Sequence, residues 1–111
     1  MQEIIEGVEK LAYEELERAN VKFGTFHSTH EGYAVIKEEI EEAADELEDI
    51  ATYLSDMWRG VKGDSVGVTR NYALYIKQTA VRLAAESIQV AAMAQKFIDS
   101  SKQWKVADIN E

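Results

Sequence analysis

IKEEIEEAADELEDIATYLSDM, residues 36–57, decides the fold class of this chain. Ile36, Ile40, Ala43, Leu47, Ile50, Leu54 and Met57 recur at alternating steps of four and three. A helix turns that spacing into one continuous apolar stripe. The stripe predicts a helix over about 30–58, roughly 40 Å long at ~1.5 Å per residue. Just before it, Ser28 and Glu31 stand at the spacing of a capping box, with Ser28 as cap and Glu31 reaching back. Gly60, Gly63 and Gly67, with Asp64 and Ser65 between them, break the pattern and predict a mobile loop over about 59–68.

The same period extends to both sides, and no segment reads as a strand. Ile4, Ile5, Val8, Leu11, Ala12, Leu16 and Ala19 give an amphipathic helix over about 1–20. Residues 21–29, with Gly24, Phe23, Phe26 and His27, read as a connection. A last helix is expected over 69–100, followed by a frayed tail over 101–111. Its apolar residues spread well beyond one stripe, so it calls for neighbours on several sides. The expected fold is therefore one all-α domain over residues 1–111, a bundle of long helices. Three helices are too few to enclose the last one, which predicts a homodimer or homotetramer that completes the core.

Bulk composition narrows the function. At 111 residues and 46% hydrophobic content, the chain is long enough for one folded domain. Lys and Arg number 12 against 21 Asp and Glu, a net charge of −9. That field repels a polyanion and disfavours a nucleic-acid polymer as partner. A small phosphorylated ligand stays open, because a divalent cation on carboxylates reverses the local sign. No apolar run approaches the ~20 residues of a membrane span, and the N-terminus is too acidic for a signal peptide. Cysteine is absent, which removes disulfides and thiolate metal sites. The expectation is a soluble, cytoplasmic protein without a membrane partner.

Glu86 is the lone carboxylate in AVRLAAESIQVAAMA, residues 80–94. Burying an unpaired carboxylate costs several kcal/mol, so such a group is protonated, paired or bound to a cation. Glu39 and Glu42, three residues apart, project from adjacent turns, with Glu39 at the border of the apolar stripe. Glu86 and Gln89 repeat that spacing. Two such pairs facing one another offer up to four oxygen ligands, a set suited to Mg²⁺ or Mn²⁺. The competing readings are a solvated acidic face for residues 38–48 and a buried ion pair to Lys or Arg for Glu86. Glu46 and Asp49 continue the acidic face over more than two turns, too far for a single ion, and leave Glu46 as a second-metal candidate.

Glu38-Glu39-Ile40-Glu41-Glu42 resembles the EExxE motif of the MazG-like, all-α nucleoside triphosphate pyrophosphohydrolases. The wider stretches 30–42 and 86–98 are similar to phage and prophage members of that group. The resemblance covers most of 27–99. It implies Mg²⁺-dependent hydrolysis of a (deoxy)nucleoside triphosphate to a monophosphate and pyrophosphate, in the cytoplasm of a bacterial host for a phage or prophage protein. It also implies Glu39, Glu42 and Glu86 as metal ligands, with Glu38 as an accessory carboxylate that positions or activates water. Gln89 stands where the second motif, ExxD, has Asp, so one ligand there would be an uncharged amide. That departure keeps a non-catalytic nucleotide-binding or sequestering oligomer as the alternative.

Triphosphate binding needs cations besides a metal, and Lys37, Arg70, Lys77 and Arg82 lie on or near the motif-bearing helices. Arg82, one turn before Glu86, reads equally as a structural ion-pair partner. His27 and His30 form HxxH at a helix start, but without further His or Cys nearby they read as capping groups rather than zinc ligands. Phe23, Phe26 and Tyr33 are either a base-stacking platform or a staple for the loop. Trp58 and Trp104 read as packing or interface residues.

Overall fold

The computed structural model describes residues 1–104 and contains three long helices, with no strand among the described residues. The fold is all-α. Helix α1 spans Gln2–Phe23, α2 Thr29–Lys62 and α3 Val66–Ser101. The expected tail lies outside the described residues from residue 105 onward. None of the helices is long and apolar enough to cross a membrane, among the described residues.

Each boundary has a local cause. Helix α1 outruns its expected end by three residues and stops at Gly24, whose φ of 73° suits a residue without Cβ. The amide of Gly24 donates to the Asn20 carbonyl at 2.8 Å. At the start of α2 the Glu31 amide donates to Ser28 Oγ at 3.1 Å, the capping contact read from the sequence. The Glu31 carboxylate reaches one residue further back than a capping box requires. It accepts the backbone N–H of His27 at 3.2 Å and contacts its ring Nδ1 at 3.1 Å. These bonds hold the Glu31 carboxyl below the usual range, and they give His27 the structural role.

The predicted 59–68 loop shrinks to residues 63–65. Gly60 is helical and buried, and a Cβ there would stand 2.8 Å from Val68 Cγ1, so this glycine serves close helix approach rather than a turn. Asp64 takes the left-handed conformation at φ 56°, which Asp tolerates better than most residues. Ser65 then accepts the Val68 amide at 3.3 Å and starts α3.

The chain forms two compact units, Met1–Glu38 with Ile88 onward, and Glu39–Ser87. In the first, α1, the start of α2 and the end of α3 enclose Leu16, Phe26, Ala92 and Met93. Ala19, Val35, Ile36, Phe97 and Trp104 pack around them. Phe26 staples its loop to the core: its amide donates to Ser100 Oγ at 3.0 Å, and its carbonyl accepts Trp104 Nε1 at 3.2 Å. Lys96, buried in the same place, lays its ammonium 4.5 Å from the Phe26 ring centre. The staple reading thus holds for Phe26, while Phe23 and Tyr33 stay exposed.

The second unit is an antiparallel helical hairpin. Tyr53 on α2 meets Tyr72 and Tyr75 on α3, with ring centres 6.4 and 5.7 Å apart. Only Gly60 and Thr79 are buried in it.

Candidate metal centre

Three of the four expected ligands come together within the hairpin. Glu39 and Glu42 project from adjacent turns of α2 and meet Glu86 of α3, each offering an oxygen within 4.8 Å of the others. Glu39 and Glu86 are half-buried and Glu42 is exposed, so the cluster sits where the two helices meet the solvent. The antiparallel hairpin explains the match. Residues near 40 on α2 lie level with those near 86 on α3, as Glu46 lies level with Arg82.

The electrostatics are those of crowded like charges. Burial, a hydrogen bond to Glu42, and the negative charges of Glu42 and Glu46 together push Glu86 above the ordinary carboxylate range. A proton relieves this crowding, and a divalent cation would relieve it more fully. Three hard carboxylate donors without nitrogen or sulfur fit Mg²⁺ or Mn²⁺ by donor chemistry.

Arg82 pairs with Glu46, not with Glu86. Its Nε lies 3.4 Å from the Glu46 carboxylate, and its Nη2 donates to the buried Thr79 hydroxyl at 2.9 Å. Glu46 therefore balances Arg82 while adding charge beside Glu86. Thr79 escaped the sequence reading, although a hydroxyl on the apolar row of Ile76 and Leu83 was a visible irregularity. Lys77 is exposed on α3, nine residues before Glu86, which at about 100° per residue puts it on the opposite side of the helix from the carboxylates. Glu38, the first residue of the EExxE-like motif, and Lys37 just before it are exposed on α2.

Gln89 is engaged elsewhere. One turn after Glu86, its amide hydrogen-bonds the Glu15 carboxylate of α1, the largest cause holding that carboxyl below its usual range; Arg18 adds to it. Nothing in the sequence singles out Glu15 from the other acidic residues of α1.

No protein-family model, curated protein or solved structure matches this chain.

Proposed function

We propose that this chain hydrolyses (deoxy)nucleoside triphosphates to a monophosphate and pyrophosphate, with Mg²⁺ held by Glu39, Glu42 and Glu86. One observation carries the reading: three carboxylates from two antiparallel helices converge within 4.8 Å, on the residues of an EExxE-like motif and its distant partner. A bound Mg²⁺ would supply charge neutralisation on the phosphate oxygens.

The chain's own residues account for the rest. Glu38, exposed next to Glu39, takes a proton from the water whose oxygen attacks the α-phosphorus. The bond from that phosphorus to the α–β bridging oxygen breaks, and pyrophosphate leaves. Arg82, one turn before Glu86 and oriented by Glu46 and Thr79, attracts the anionic substrate. The compartment that goes with this activity is the cytoplasm, that of a bacterial host for a phage or prophage chain.

The test is incubation with a panel of nucleoside and deoxynucleoside triphosphates and Mg²⁺, with pyrophosphate as readout. Release that disappears in Glu39→Gln, Glu42→Gln and Glu86→Gln supports the reading, and no release with any nucleotide sinks it. The engagement of Gln89 with Glu15 favours a second reading, a non-catalytic protein that binds or sequesters nucleotide at the same carboxylates. Tight nucleotide binding without turnover would select it.

A further inference from the structure

The apolar row of α2 keeps its four–three alternation through Val61, a 3.5-residue period that matches another helix of equal period along its whole length. Within the hairpin, α3 leaves every second residue of this row uncovered, while Ala43, Ile50 and Met57 are half-buried. It meets Glu39, Glu46, Tyr53 and Gly60, themselves seven apart. Ile40, Leu47, Leu54 and Val61 are each the following residue, about 100° further round the helix. They stand 49, 57, 60 and 48% exposed, and Trp58 beside them is 57% exposed.

We infer that this line is the contact surface for a second copy of this chain, with the two α2 helices antiparallel about a two-fold axis near residue 50. The spacing is self-complementary in that orientation. Ile40 faces the partner's Val61, and Leu47 faces the partner's Leu54, so one surface serves both chains.

Charge fixes the direction. Between Lys37 and Arg59, α2 carries many carboxylates and no basic residue, while Arg59 and Lys62 close its C-terminal end. Parallel pairing sets the acidic stretches side by side. Antiparallel pairing brings each Arg59 and Lys62 to the acidic end of the other chain.

The area is of the right size. At roughly 150–250 Å² per fully exposed large side chain, the five exposures amount to about 500 Å² per chain. Stable interfaces bury about 800 Å² per partner, a little over half of it apolar.

Sedimentation equilibrium of the full chain tests the proposal, with a dimer expected at micromolar concentration. The double variant Leu47→Glu with Leu54→Glu should be monomeric yet fully helical by circular dichroism, because both positions are exposed in the single chain. Trp58 emission, read in a Trp104→Phe background, should shift to the red in that variant. A wild-type chain that stays monomeric overturns the proposal, and vesicle binding by such a monomer would give the line a different occupant. A double variant that remains dimeric overturns it as well. Orientation is read by oxidising a mixture of Ile40→Cys and Val61→Cys chains, a clean probe in a protein without cysteine. Disulfides between unlike chains are expected, and disulfides between like chains would show a parallel pair and overturn the arrangement.

Discussion

Leu16, Phe26 and Met93, the large apolar side chains buried among the described residues, all belong to the unit of Met1–Glu38 and Ile88 onward. The hairpin Glu39–Ser87 draws on equally apolar sequence but buries only Gly60 and Thr79. The difference lies in the number of helices, not in composition. Three helix segments can close around a line of side chains, whereas two touch along one line and leave their flanks wet. Stability thus gathers in one unit, while the other carries the crowded carboxylates and a half-covered apolar row.

The sharpest way to break this contrast is to truncate one apolar side chain in each unit. Leu16→Ala should cost about 2–5 kcal/mol, as expected where a core side chain leaves a cavity. Val81→Ala, at a position 64% exposed in the hairpin, should stay within about 0.5 kcal/mol. Urea unfolding followed by circular dichroism measures both, and equal losses would refute the contrast.

Lys96 is the next probe, because it brings a charge into the closed unit. Burial lowers the pKa of its amine, against the raising influence of Glu31. The unfolded chain therefore holds that proton more firmly, and the penalty is full at neutral pH. Replacement of this buried cation by Met should stabilise the chain by about 1 kcal/mol at pH 7. As pH rises through the depressed folded pKa toward 10.5, the wild type should recover that difference. An advantage of Lys96→Met that stays constant with pH would show that burial of the charge is not its source.

In the hairpin the corresponding probe is Glu86→Gln. A carboxyl with raised pKa costs stability as pH climbs from about 4.5 through the folded value. Without divalent cation the variant should be more stable at neutral pH by about 1 kcal/mol or less, with no advantage in acid. Addition of Mn²⁺ should reverse the order by raising the melting temperature of the wild type alone. Equal Mn²⁺ shifts in the two proteins would remove Glu86 from the ligand set.

The smallest effect is expected from Gln89→Asp. It sets a second carboxylate against Glu15 and should cost a few tenths of a kcal/mol above about pH 5. Higher pyrophosphate release despite that loss would mark Gln89 as a weakened ligand. Lower stability with unchanged turnover would leave it as the partner of Glu15.

The legible part of the site was the part with periodic spacing. Glu39 and Glu42 are fixed relative to one another by a single helix, and Glu86 stood out as the one carboxylate in an apolar run. Their convergence follows once the hairpin is known to be antiparallel. Gln89 shares the spacing of Glu86 but turns to Glu15, and Arg82 pairs with Glu46 rather than Glu86. Neither choice leaves a trace in local pattern, because each depends on which distant helix happens to be level with that turn. The same holds for Gly60, a loop signal by residue type that proved to be a contact point between helices.

The sequence by itself determined three helices, the cap at Ser28, and the faces they offer, because these follow from dihedral preference and a 3.6-residue repeat. Only the tertiary structure decided which faces are covered, which carboxylates meet, and where a polar side chain finds its partner. Those outcomes depend on the register between helices. That register is set by close approaches such as Gly60 to Val68 and by packing summed over the whole contact, and no window of neighbouring residues contains that sum.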